Sequence, residues 1–368
     1  FSLFRTLKFT TLTALVISLM YSTASFHFVP LSWLATASYI IGPLFILTSL
    51  ILYLKGKYLL AFIAFLLALA STEFAIVLIP VAAMLGPKLS TGLKHLSPYI
   101  AISFIYLVLR FLIFPLPRAG QYEITLAPKI LTNLAWYFAW TFNVPEKIAT
   151  IFFFTNLKNS FAISLEFFKY LFLPLALITG YLVILIRSKI RPDKIIIGLL
   201  WFLFGISPVI LLTNHNYAMY LPVSSLGIFY ILATALDKLE RIKIPALFSL
   251  ASAWVLSSYL TLDFIKNTHW IPNQQAIAKA YVKEVQKQIQ KPPSGTVLVF
   301  KPADISFAHE NNFVLVETED NVKQSLNDQD AIQVIYKDTS LKSIFTTHQK
   351  PINFPGGTNI IEVSPSVN

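Results

Sequence analysis

YLLAFIAFLLALASTEFAIVLIPVAAML, residues 58–85, is the stretch whose reading decides the fold, because Glu73 is the one acid in an otherwise apolar sequence. A charge at bilayer depth costs roughly 2.5–3.5 kcal/mol on insertion scales, so intramembrane acids usually face a wet cavity or a site. Glu73 either projects from the middle of one long helix or lies at a turn between two short ones. One helix over 58–86 would be about 43 Å long, against a hydrocarbon core of about 30 Å. Two helices of about 14 residues would each reach about 21 Å and would need a locally thinner membrane. Loop charge favours the hairpin, turning at Ser71-Thr72-Glu73, because it places Lys88 and Lys94 on the same side as Lys55 and Lys57.

The composition around this stretch sets the class. With 55% hydrophobic residues, 31 Phe and only 13% charged residues, the 368-residue chain cannot assemble a water-soluble surface, and it reads as a polytopic helical membrane protein. The net charge of +11 is unevenly spread. Residues 263–368 hold 10 Lys/Arg and 11 Asp/Glu, which leaves 19 basic and 7 acidic residues for 1–262. The basic excess falls in small groups between apolar runs, so it reads as a topology signal and not as a nucleic-acid surface. The absence of cysteine excludes disulfides, thiol catalysis and Cys-ligated metal sites.

Apolar runs at about 9–25, 34–54, 58–86, 98–116, 132–155, 166–186, 195–213, 217–236 and 245–262 are each near the length that crosses a bilayer, and imply about nine spans in a domain covering 1–262. Arg5 and Lys8, Lys55 and Lys57, the Arg187–Lys194 group and the Lys238–Lys243 group mark cytoplasmic loops. His27, Asn214–Asn216 and everything beyond Leu262 are then external. The chain opens on Phe1 without a signal-peptide cleavage pattern, and reads as lacking an upstream part. Residues 116–165 interrupt the regular pattern with Pro115, Pro117, Arg118, Gly120 and Pro128. Trp136, Tyr137, Trp140 and Glu146 then give 132–155 the character of either an interfacial lid or a span with an aromatic belt.

Residues 263–368 read as an extracytoplasmic α/β domain. Gln274–Gln290 is an amphipathic helix with Ile277, Tyr281, Val285 and Ile289 on one face, and Thr296–Phe300, Phe313–Glu317, Ala331–Tyr336 and Asn359–Val363 are strand-like. His309, Glu310, Glu317, Glu319 and Asp320 lack calcium-loop spacing and read as a solvated edge.

Three segments carry a resemblance. LLALASTEFAIVLIPVAAML resembles the "SKE…P" segment of membrane glycosyltransferases of the GT-C superfamily, the polyprenyl-phosphate-sugar-dependent type related to protein O-mannosyltransferases. SFHFVPLSWLATASYIIGPLF is similar to the external "HP…W" loop of that family, with His27 and Trp33 at the matching places, and NHNYAMYLPVSSLG to a late "R-Y-x-Y-L-P-s-x-G" segment, with Tyr220, Leu221, Pro222 and Gly227 in register. The chain departs from the pattern where Thr72 stands in place of a frequent Lys, and where the late Arg is absent near Tyr217. No external carboxylate precedes His27, so the resemblance implies that the family's catalytic acid lies upstream of Phe1.

The resemblance implies a GT-C-like bundle that transfers a sugar from a polyprenyl-phosphate carrier to a protein or glycan acceptor at the outer face of a cell membrane. Membrane lipids and the lipid-linked sugar are then the partners, with no nucleic acid. Such a transfer needs a carboxylate for the acceptor hydroxyl and cations or polar donors for the leaving phosphate. Glu73 and His27 are the catalytic candidates, and Arg118, Asn214, His215, Tyr217 and Tyr220 the substrate-binding ones, with no cofactor and no metal set. A transporter or lipid flippase using Glu73 as a coupling residue, or a non-catalytic assembly protein, is the alternative. A transporter would call for a repeated, broken-helix pattern, and no second copy of 58–86 occurs.

Overall fold

The computed structural model describes residues 1–86, 89–114, 122–148, 167–239, 242–301, 319–345 and 359–363. Contacts divide the chain into two units, Phe1–Phe264 and Ile265–Asn368.

The first unit is a helical membrane bundle. Its helices are α1 (Ser2–Thr6), α2 (Thr11–Ser22), α3 (Phe28–Ser32), α4 (Ser38–Leu54), α5 (Tyr58–Ser71), α6 (Leu78–Leu85), α7 (Leu89–Ile113), α8 (Lys129–Thr141), α9 (Phe168–Ser188), α10 (Pro192–Ile210), α11 (Leu221–Asp237) and α12 (Lys243–Thr268), with 3₁₀ turns at Ser25–His27, Glu73–Val77 and Ala218–Tyr220. Among the described residues six helices are long and apolar enough to cross a bilayer, and a pair bent by 46°, Thr11–Ser22 with Ser25–Ser32, would make a seventh. Their outward faces carry apolar side chains such as Leu59, Phe104, Leu112 and Ile186. Only a non-aqueous surround makes so much exposed hydrocarbon favourable.

The stretch 58–86 is broken. Thr72 is extended (φ −163°, ψ 143°), which ends α5, and its Oγ1 accepts the Phe74 N–H at 3.3 Å to cap the turn that follows. Both arms run alongside α4. At one end of α4 the Tyr53 ring lies 5.4 Å from that of Tyr58, and it sits close beside Gly86 at the end of α6. At the other end, Thr72 packs on Gly42 so closely that any Cβ there would overlap its methyl group. The single long helix is thus excluded, and Glu73 is carried to the end of the bundle. Ala61, Ala64 and Ala68 form the buried face of α5. Such small side chains let helix backbones approach in lipid, and Ser49 Oγ donates across to the Ala61 carbonyl at 2.7 Å.

Helix α11 is the axis of the bundle, with 94% of its span buried inside the protein. Gly227 makes this possible, because a Cβ there would strike the backbone of α10 at Gly198 and Phe202. At 13 residues α8 is too short to cross by itself. It packs on the 3₁₀ turns at Ser25–His27 and Ala218–Tyr220, and so lies at one end of the bundle.

Just beyond α8, Asn143 ties three segments together from a left-handed conformation (φ 64°). Its Oδ1 accepts the Ser25 N–H at 2.9 Å, its Nδ2 donates to Ser258 Oγ at 2.9 Å, and its carbonyl accepts Thr261 Oγ1 at 2.7 Å.

In the second unit, α13 (Trp270–Gln288) is followed by β1 (Val297–Phe300), α14 (Glu319–Ser325), α15 (Asp330–Tyr336), β2 (Lys342–Phe345) and β3 (Ile360–Val363). The strands form a parallel sheet in the order β2-β1-β3, with Val297 opposite both Lys342 and Ile360. All four residues of central β1 are buried, as parallel strands covered on both faces require. Ile277, Tyr281 and Val285 of α13 pack in the core with Leu298 and Phe300.

Ala331–Tyr336, expected as a strand, is helical. Asp330 stands in the first turn, Ile332 is buried and the Tyr336 hydroxyl reaches the Ile289 carbonyl at 2.7 Å, while Val334 is 75% exposed. A strand would have placed residues 332, 334 and 336 on one face. The edge strand β2 was not anticipated, and the expected strand 313–317 and the residues His309, Glu310 and Glu317 lie outside the described residues.

Replacing Asn143 tests the three-way tie. Asn143→Ala removes two buried side-chain bonds and disfavours the left-handed backbone, so it is expected to cost about 2–4 kcal/mol. Asn143→Gly restores the backbone freedom and should recover part of the loss. Thermal unfolding of the detergent-solubilised protein checks the order wild type, then Gly, then Ala; equal midpoints would remove Asn143 as a structural tie.

Candidate functional site

The break at Thr72 opens one wall of a cavity of about 590 Å³. Glu73, Ile76 and Val77 come from the hairpin, Tyr39 from α4, Leu107 and Arg110 from α7, Phe204, Ser207 and Pro208 from α10, and Tyr220 from the turn before α11. Glu73 is exposed into this region and has no ion-pair partner among the described residues. Its place in the first turn after a cap is also where the helix dipole favours an anion, typically by 0.3–1 kcal/mol. Pro208 lacks the N–H that would bond the Phe204 carbonyl, and Ser207 Oγ donates to that carbonyl at 2.8 Å instead.

Arg110 is the cation of the cavity. Its Nη1 donates to the Phe114 carbonyl at 3.2 Å and its guanidinium lies 4.8 Å from the centre of the Phe114 ring. That arrangement holds the side chain near the wall and leaves most of its five donors for a ligand.

Behind the cavity the aromatic rings are continuous. Phe74 stacks on Tyr220 with centroids 5.9 Å apart, Tyr39 meets Tyr220 edge-on at 5.2 Å, and His215 lies 4.2 Å from Tyr122 and 4.7 Å from Tyr217. His215 is buried, its Nδ1 has no hydrogen-bond partner among the described residues, and desolvation lowers its pKa. The segments bearing Tyr122 and His215 are stitched together. Thr125 N–H donates to the Leu211 carbonyl at 3.0 Å, Lys129 Nζ to Asn214 Oδ1 at 2.9 Å and Asn133 Nδ2 to the Thr213 carbonyl at 3.1 Å.

Glu146 completes the support. Its Oε2 accepts the Ala218 N–H at 3.1 Å, at the start of the turn that delivers Tyr220. Part of the residue is open to solvent, yet protein crowds the carboxyl, and this desolvation pushes its pKa up to about 7 despite the Ala218 bond.

The structure thus gathers Glu73 and Tyr220 on the cavity and sets His215 and Tyr217 directly behind it. Asn214 does not line it, and its Oδ1 accepts Lys129 Nζ at 2.9 Å. His27 is elsewhere: it is not a lining residue, and its ring packs against Phe26 at 4.6 Å and Tyr21 at 5.0 Å. Arg118 lies outside the described residues. Arg110, Tyr39, Tyr122 and Glu146 were not singled out from sequence as site residues. Among the described residues no group of three or more His, Asp or Glu side chains could hold a metal ion.

No protein-family model matches the chain, and searches of curated proteins and of solved structures give no match.

Glu146 makes a pH prediction. A carboxyl whose pKa rises from 4.5 to about 7 on folding binds more protons in the folded than in the unfolded protein between those values. Its contribution therefore weakens the fold as pH rises through that window, by a few kcal/mol in all. The depressed His215 acts with opposite sign, losing stability as pH falls through its unfolded value near 6.5. The difference between wild type and Glu146→Gln isolates the first effect: the variant's relative stability should increase from pH 5 to pH 8. Unfolding midpoints that stay parallel across this range would refute the assignment.

Proposed function

We propose that the Glu73–Arg110 cavity binds a polyprenyl-phosphate-linked sugar, and that the protein is a GT-C-like membrane glycosyltransferase. The observation that carries this reading is the cavity itself: one carboxylate and one guanidinium placed among apolar walls at the end of a membrane bundle. Leu107, Phe111 and Phe204 suit an isoprenoid chain, Arg110 a phosphate, and Tyr39, Tyr122 and Tyr220 the faces of a sugar. The likeness of the STEF and YLP segments to glycosyltransferase motifs supports the same reading.

In this mechanism an acceptor hydroxyl attacks the anomeric carbon, a new C–O bond forms, and the bond from that carbon to the phosphate oxygen breaks. The leaving phosphate keeps the electron pair and is held by Arg110. Glu73 accepts a hydrogen bond from the reacting hydroxyl and takes up its proton. Lys8, Lys55, Lys57, Lys194 and Lys243 belong to the opposite end of the bundle, and by the positive-inside rule this supports a cavity at the outer face with the second unit outside the membrane. With the bent pair and both hairpin arms counted, the bundle then has about nine spans.

Native mass spectrometry of the purified chain with polyprenyl phosphate, its hexose-linked form and the neutral polyprenol tests this reading. Phosphate-bearing lipids should bind in preference to the alcohol. Arg110→Gln should weaken that preference by at least tenfold, while Glu73→Gln should spare phosphate binding and abolish sugar release or transfer. Equal binding of phosphate and alcohol would sink the proposal. Binding with substrate transport across vesicles, and no bond cleavage, would favour a transporter.

A further inference from the structure

A second cavity, of about 420 Å³, lies at the other end of the same helices. Helix α4 enters the first cavity at Tyr39 and the second at Leu54, and α11 follows Tyr220 of the first and brings Tyr230 and Thr234 to the second. Some 15 residues of helix separate the two, roughly 22 Å. Met84 of α6 and the segment between α1 and α2 close the second cavity, and its charged lining residues are Lys8 and Lys194. No carboxylate lines it, and neither lysine has an ion-pair partner among the described residues.

Lys8 occupies a costly position. α1 ends in a Schellman turn, with Phe9 N–H bonded to the Phe4 carbonyl and Lys8 N–H to the Arg5 carbonyl, both at 3.1 Å. Phe9 also packs on Phe4, with ring centroids 5.7 Å apart. The left-handed residue in this motif is usually glycine, yet here it is lysine at φ 68°. Lys189 and Lys337 share this left-handed backbone; what sets Lys8 apart is that it borders a cavity that holds a second lysine and no acid.

We propose that the Lys8–Lys194 cavity is a phosphate-binding site, distinct from the Glu73–Arg110 cavity and independent of the glycosyltransferase reading. Two ammonium groups with no competing carboxylate match a phosphate mono- or diester as paired point charges. The phosphate belongs either to an anionic lipid headgroup entering from the bilayer edge or to a free phosphate compound entering from water.

Lys8→Gly separates folding from binding, because glycine is the residue this turn favours. Full-length protein in neutral detergent would be titrated with inorganic phosphate, with dihexanoyl phosphatidylglycerol and with dihexanoyl phosphatidylcholine, following the unfolding midpoint at constant ionic strength. A saturable rise with phosphate alone assigns a free ligand, with phosphatidylglycerol alone a lipid headgroup, and either supports the site. Lys8→Gly should unfold at the wild-type temperature or higher and bind at least tenfold more weakly, and Lys194→Gln should show the same loss of affinity. No saturable response in the wild-type protein, a response to phosphatidylcholine equal to that to phosphatidylglycerol, or unchanged affinity in both variants would overturn the proposal.

Discussion

A carboxylate within an apolar run has to reach polar surroundings, and the first unit is built around the way this chain satisfies that demand. The break at Thr72 shortens two helices so that Glu73 reaches the end of the bundle instead of its middle. The missing Cβ at Gly42 lets the break seat against α4, and the arms return to Tyr53 at the other end. What would otherwise be a desolvation cost at bilayer depth becomes a wall residue in an open cavity. The shortened arms, alanine-faced and hydrogen-bonded from Ser49 to Ala61, recover packing that their length alone would not provide.

Helix α11 has the opposite character. It is enclosed along most of its length, so its ends are fixed by what surrounds them. At the start, Glu146 holds Ala218 and the rings of Tyr39 and Phe74 hold Tyr220. At the far end, Asp237 accepts Thr10 Oγ1 at 2.9 Å, Thr13 Oγ1 at 2.6 Å and Lys243 Nζ at 2.6 Å, joining α2 and α12 to α11. Both cavities are thus bordered by one buried helix, at Tyr220 just before its start and at Tyr230 and Thr234 further along it.

What could be read from the sequence follows from which constraints are local. The hairpin was legible because length, an internal acid and loop charge all bear on residues 55–94. The buried face of α13 was legible because its apolar residues recur every four positions. Arg110 was not, because at the end of an apolar run an arginine looks like any interfacial anchor, and only the neighbouring helices show that it borders a cavity. His27 and His215 look alike in sequence, each being a polar ring near a membrane boundary. Packing alone sends one toward Tyr21 and Phe26 and the other behind the cavity. Ala331–Tyr336 misled because β-branched residues favour strands only where a sheet offers them two faces, and here the single face that Ile332 and Tyr336 share is helical.

Glu146 shows why the support of a site is harder to read than its lining. From sequence it was one polar residue in an aromatic stretch, and nothing adjacent to it in the chain indicates a partner. Its partner is the Ala218 amide, 72 positions away, at the mouth of a buried helix. An amide there needs an acceptor, because the first N–H groups of a helix have none within it. A carboxyl is thereby held where its charge is disfavoured by burial and favoured by the helix end. The balance leaves its pKa raised to about 7. The turn that presents Tyr220 to the cavity is therefore held by a group whose protonation changes in the neutral range, which couples the geometry of the site to pH.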